Sequence, residues 1–101
     1  MAKKSTRNSD ILYNSKEKTS PKIYSLLVKL VNDDRGDLAE IVLRIDYLLQ
    51  YASSCINQKD FEEAREGLDG AKMRIDILKK EMVDIEHLEY LYEGIHKKCK
   101  K

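Results

Sequence analysis

From Phe61 onward, apolar residues recur at Ala64, Leu68, Ala71, Ile75, Leu78, Met82 and Ile85, at spacings that alternate between three and four. Only an α-helix lines up such positions on one side, because a strand repeats at every second residue. A stripe this narrow needs a neighbouring helix to cover it, so an all-α fold is expected. Beyond Ile85 the stripe slips, and the next apolar residues are Leu88, Leu91, Tyr92, Ile95 and Cys99. No Gly or Pro stands at the slip. The segment therefore reads as one long helix C over 61–98, kinked near Asp84–His87 or with its seam rotated there.

Upstream, Leu38, Ile41, Ile45, Leu48, Ala52 and Cys55 form the stripe of a helix B over 38–57. Asp37 is the expected N-cap, with Glu40 completing a capping box. Asn57-Gln58-Lys59 is a short polar connection, and Asp60 with Glu63 signals the next helix start. Connections this short join antiparallel neighbours. A shorter helix A over 21–31 begins with Ser20 as cap and Pro21 in the first turn, and carries Ile23, Leu26, Leu27, Leu30 and Val31. The expected fold is an antiparallel, coiled-coil-like helical hairpin of B and C with helix A added. It closes as a three-helix bundle if A folds back, or as a dimeric four-helix bundle if two hairpins pair. Residues 20–99 read as one helical domain, 1–19 as a flexible basic arm and 100–101 as a basic tail.

Charge supports long solvated helices. Asp, Glu, Lys and Arg make up 37% of the 101 residues, well above the globular average of about 25%. Residues 1–22 carry six Lys or Arg against Asp10 and Glu17, and four lysines follow His96, so the stretch between is acidic. No apolar run approaches the roughly 18 residues of a membrane span. The basic start, Met1-Ala2-Lys3-Lys4-Ser5, leads into no apolar stretch, so a secretory signal is not expected and the chain reads as cytoplasmic.

Catalytic chemistry finds little to work with. His87 and His96, even with Glu86, Glu89 and Cys99 nearby, fall short of the three or four convergent ligands of a zinc site. No Gly-rich phosphate loop, nucleophile elbow or Cys-x-x-Cys is present. No enzymatic activity, metal, cofactor or small-molecule substrate is expected. Cys55 and Cys99 both lie on apolar stripes, and a straight helix C puts them on the order of 50 Å apart. Both read as buried or free thiols.

A macromolecular partner is the better expectation. Helix B is wider than one neighbour can cover: Val42, Leu49 and Ile56 extend its stripe on one side, Tyr47 and Tyr51 on the other. The candidate partner-binding residues are Tyr47, Tyr51, Leu49, Gly67, Leu91 and Ile95. Gly67 enters because a bare backbone between Ala64 and Leu68 admits a close helix. The run Ala52, Cys55, Phe61, Ala64, Leu68, Ala71 resembles a tetratricopeptide helix pair, with Asp60-Phe61-Glu62-Glu63-Ala64 resembling its turn. The resemblance covers about 25 residues and departs at Asp76, where that family has a Pro closing its second helix. It implies a protein-binding module. The function expected is thus a non-enzymatic adaptor, small chaperone or regulatory subunit that binds a protein partner or itself as a homodimer. The alternative is a nucleic-acid-associated protein acting through Lys3, Lys4, Arg7, Lys97, Lys98, Lys100 and Lys101.

Overall fold

A computed structural model describes residues 19–99. They form four helices, α1 (Pro21–Asn32), α2 (Gly36–Asn57), α3 (Phe61–Lys80) and α4 (Glu86–Cys99), with no strand among the described residues. The expected arm, apart from Thr19, and the tail at 100–101 lie outside them. The chain divides after Val42 into two compact units.

In the first unit, α1 starts where Ser20 and Pro21 place it. The Ser20 hydroxyl accepts the Ile23 N–H at 3.4 Å, and Pro21 takes the position where a missing N–H costs nothing. Ile23, Leu27 and Leu30 are buried on α1, as are Leu38, Ala39 and Val42 on α2. Between the helices the Arg35 N–H donates to the Leu30 carbonyl at 2.8 Å and the Asp34 N–H to Val31 at 2.9 Å, with Asp34 left-handed at φ 64°. This pair of bonds is a Schellman ending. The Asp37 cap expected from sequence is replaced by an ion pair. Arg35 grips the Asp37 carboxylate with two donors, Nε to Oδ1 at 3.2 Å and Nη2 to Oδ2 at 3.1 Å. The Arg35 carbonyl instead accepts from Leu38 and Ala39, so α2 begins at Gly36, two residues before the expected start. The guanidinium holds the Asp37 carboxyl below its ordinary pKa.

In the second unit, Ile45, Leu49, Ala52 and Cys55 are buried on α2, and Ala64, Leu68, Ala71, Ile75 and Leu78 on α3. The α3 part of the periodic stripe is therefore core. Its cap is the expected one: the Asp60 carboxylate accepts the Glu63 N–H at 3.4 Å.

The single helix expected over 61–98 is two helices. After Lys80 the chain makes another Schellman ending, with Val83 N–H to Leu78 carbonyl at 3.1 Å, Met82 N–H to Lys79 carbonyl at 3.0 Å, and Met82 left-handed at φ 62°. The Asp84 carboxylate then accepts the Glu86 N–H at 3.2 Å and opens α4. Met82, which belongs to the apolar stripe by spacing, is 91% exposed. The slip in the stripe is thus a stop and restart, and the reversal brings Cys99 back to the beginning of α3. The Cys99 thiol lies 3.7 Å from the Phe61 carbonyl oxygen, and the Asp60 N–H donates to the Cys55 carbonyl at 2.8 Å. The wide separation of the two cysteines that a straight helix demands is removed. Both are buried and free.

Met82 carries the cost of a left-handed backbone without burying its side chain. Met82→Gly is expected to stabilise the fold by about 1 kcal/mol, because glycine alone adopts this conformation without the Cβ clash. A higher urea midpoint at unchanged slope is the expected reading; an unchanged or lower midpoint counts against the turn.

Candidate interaction surface

The candidate partner-binding residues separate into two places. On α2, Tyr47 is 57% and Tyr51 37% exposed. Their rings are near-parallel at 6.5 Å, and the Arg44 guanidinium sits 5.7 Å from the Tyr47 centroid. Tyr51 is already engaged within the chain. Its hydroxyl donates to Glu63 Oε1 at 2.6 Å, and the nearby carboxylate pushes the phenol's pKa above its ordinary value, since a phenolate there would face a second negative oxygen.

Gly67 and Leu49 are not available to a partner. Gly67 is buried, and a Cβ there would meet the Tyr51 ring at 3.1 Å, the Leu48 carbonyl at 3.4 Å and the Ala52 methyl at 3.5 Å. The close approach that its bare backbone permits is made by α2 of the same chain. Leu49 is 2% exposed. The extra width of helix B on the Val42–Leu49 side is core, whereas the Tyr47 side is open. Periodicity alone could not say which side would be covered.

The second place is the outer face of α4. Its inner face is marked by the buried Leu88 and Cys99. Tyr92 is half-buried, its ring 5.5 Å from His96 and 5.8 Å from the Lys72 ammonium of α3. On the outer side an open groove of about 400 Å³ is lined by Tyr90, Leu91, Gly94, Ile95, Lys97 and Lys98, among other α4 residues. Of these, Leu91 and Ile95 are half-buried, and Tyr90 is 74% exposed and stacked 6.3 Å from His87. Gly94 is open, with nothing within 4 Å of where its Cβ would stand. The sequence pattern pointed to Leu91 and Ile95 here but not to Gly94. Its signal was a glycine in the middle of a helix, where alanine is favoured by about 1 kcal/mol.

Lys97 and Lys98 are exposed beside this groove, while Lys3, Lys4, Arg7, Lys100 and Lys101 lie outside the described residues. Among the described residues, no helix is long and apolar enough to cross a membrane. No protein-family model matches the chain, and no match is found among curated proteins or solved structures.

Proposed function

We propose that this chain is a non-enzymatic helical interaction module, an adaptor, small chaperone or regulatory subunit, that binds a protein through the outer face of α4. The carrying observation is the combination, around one groove of α4, of a widely exposed tyrosine, two half-buried aliphatic residues and a glycine with nothing within 4 Å of its Cβ position. Aromatic anchors beside concave apolar floors dominate binding energy at protein interfaces, and exposed apolar area of this kind is otherwise a liability. The contacts of Leu48 and Ala52 with Gly67 favour a hairpin of α2 and α3 as the scaffold behind it.

Site-specific photo-crosslinking tests the reading. A photoreactive residue in place of Tyr90 is expected to capture a protein in the cell of origin, whereas one in place of exposed Asp76 on α3 is not. Silence at both positions would remove the proposal. Tyr90→Ala is expected to weaken the captured complex by about 2 kcal/mol, roughly thirtyfold, while leaving stability within about 0.5 kcal/mol of the parent. A loss of stability of the same size as the loss of binding would contradict it.

A nucleic-acid-associated role is the second reading, favoured by the exposure of Lys97 and Lys98 on the last turn of α4. Retention of RNA or DNA that falls steeply with added salt supports it, and absence of retention at low salt ends it.

A further inference from the structure

We infer that this chain exchanges α4 with a second copy of itself. The turn at 81–85 straightens, α3 and α4 join into one helix, and each α4 packs on the α3 of the other copy. The surface used is the inner face of α4, so the inference goes beyond the interaction reading above and stands without it.

Three observations carry it. First, the break between α3 and α4 is made of residues that a helix accepts. Glu81, Met82, Val83, Asp84 and Ile85 include neither Gly nor Pro, and Met82 sits in a left-handed backbone, φ 62°, that disfavours a side chain. Two hydrogen bonds close the turn, from the Met82 N–H to the Lys79 carbonyl and from the Val83 N–H to the Leu78 carbonyl. In a continuous helix the same two donors trade these acceptors, because each N–H then bonds four residues back. Short hinges under strain are a general route to exchange between copies.

Second, one row of side chains runs through the break. Every seventh residue from Ala64, namely Ala71, Leu78, Ile85, Tyr92 and Cys99, is apolar or aromatic, and all but half-buried Tyr92 are buried. Seven residues are close to two turns, so a straight helix keeps this row on one side. The face that closes the hairpin therefore also serves a single long helix.

Third, the packing register puts the exchange axis at the turn. Within the chain α3 and α4 are antiparallel, with the Lys72 ammonium 5.8 Å from the Tyr92 ring and the Cys99 thiol 3.7 Å from the Phe61 carbonyl oxygen, pairs centred on residues 82 and 80. Exchange keeps these pairs but makes them between copies, so the two straight helices cross a two-fold axis at that centre. Met82 stands seven residues past Ile75 and joins the row of buried Leu68 and Ile75, so the two Met82 side chains meet near the axis. In the hairpin that side chain is 91% exposed. Exchange thus remakes the α3–α4 contacts, relieves two left-handed residues and covers two methionines. A second copy is the occupant selected, because it brings the α4 that this α3 already fits.

Refolding of the full chain at about 1 mM, followed by sedimentation equilibrium, is the test. The parent is expected to give a dimer beside the monomer. Met82→Gly favours the turn and weakens a straight helix at both hinges, so it is expected to weaken dimerisation at least about thirtyfold. Asp84→Ala removes the carboxylate that accepts the Glu86 N–H in the hairpin, and is expected to tighten dimerisation about tenfold. Tyr90→Ala, on the other side of α4, is expected to leave it unchanged. Crosslinking identifies the exchange. Lys72 and Lys97 are both exposed, and Lys97 lies only five residues past Tyr92, about 8 Å along the helix. Ordinary and heavy-isotope chains are refolded together in equal parts and treated with an amine crosslinker. About half of the Lys72–Lys97 links in the dimer are expected to join chains of different isotope, and none in the monomer. A chain that stays monomeric at this concentration overturns the inference. So does a dimer whose links stay within one isotope, or one that Met82→Gly leaves as tight as the parent. A dimer that Tyr90→Ala weakens instead belongs to the outer face of α4; it overturns the exchange and leaves the interaction reading standing.

Discussion

Leu88→Ala is expected to destabilise the chain by about 2–5 kcal/mol and to undock α4 before the rest unfolds. Leu88 has no exposed surface, and with Cys99 it is one of two buried residues on its helix; Ile85, also buried, stands one position before the helix begins. Truncation removes both the transfer free energy of the lost methyl groups and the contacts of the atoms left lining a cavity. Few other groups on α4 are placed to compensate, because its opposite face is open. Local undocking has a specific reporter. The Cys99 thiol is sheltered near the Phe61 carbonyl, so release of α4 exposes it to a thiol reagent, whereas Cys55 on α2 stays covered. Peptide-resolved labelling is therefore expected to accelerate at Cys99 and not at Cys55. Leu91→Ala, one turn further on and only half-buried, is the control, with a loss of about 1 kcal/mol or less. Equal losses for the two variants, or equal labelling of the two cysteines, would contradict the packing of α4.

How the break before α4 escaped the sequence is instructive. Chain reversals are ordinarily read from Gly and Pro, and residues 81–85 contain neither. The reversal is held by hydrogen bonds of the backbone itself: the Met82 and Val83 N–H groups return to Lys79 and Leu78, and the Asp84 carboxylate satisfies a donor of the next helix. Any residue willing to adopt a left-handed backbone at position 82 completes that pattern, and Met does so at a cost. The shift in the apolar stripe between Ile85 and Leu88 was the visible trace. A straight helix would have carried Met82 in the seam; with the break, Met82 is exposed and Leu88 is buried. The same element illustrates what composition does convey. Ser20 and Asp60 cap where they stand because no stronger partner competes for their oxygens, while Asp37 is taken by a guanidinium two residues away. Local sequence thus fixes helix ends where one short side chain faces one free N–H, and misses them where an ion pair intervenes.

The candidate interaction surface was legible to a similar degree and for a similar reason. Periodicity identifies residues in excess of one seam, and Tyr47 was found that way, whereas Leu91 and Ile95 stand on the slipped stripe itself. It does not know which excess side another helix will take. Leu49 and Tyr47 flank the same stripe of α2, yet one is core and the other faces solvent. Glycines are harder still, since a missing side chain leaves no pattern. Gly67 and Gly94 look alike in the sequence, but one is filled by α2 and the other opens onto a groove.

That contrast leads to the second large effect. Gly67→Leu is expected to destabilise by about 3 kcal/mol, at the upper end of overpacking in a well-filled core. The first added atom would meet the Tyr51 ring at 3.1 Å and the Leu48 carbonyl oxygen at 3.4 Å. The ring can swing aside only by giving up its 2.6 Å hydrogen bond to Glu63, and the carbonyl belongs to a continuous helix that yields only as a body. A leucine must therefore push α2 and α3 apart near Ala52 and Ala64, both fully buried, and open voids beside them. The gain from removing a helical glycine, about 1 kcal/mol, offsets only part of this. Gly70→Ala is the matched control. There the nearest atoms are the ends of Leu48 and Arg74 side chains, at 3.3 and 3.5 Å, and these can turn away, so a neutral to slightly stabilising change is expected. For a domain of this size, 3 kcal/mol corresponds to a fall in melting temperature of about 12–24 °C for Gly67→Leu. If Gly67→Leu melted within a few degrees of the parent, α2 could not lie as close to α3 as the Tyr51 and Leu48 distances require.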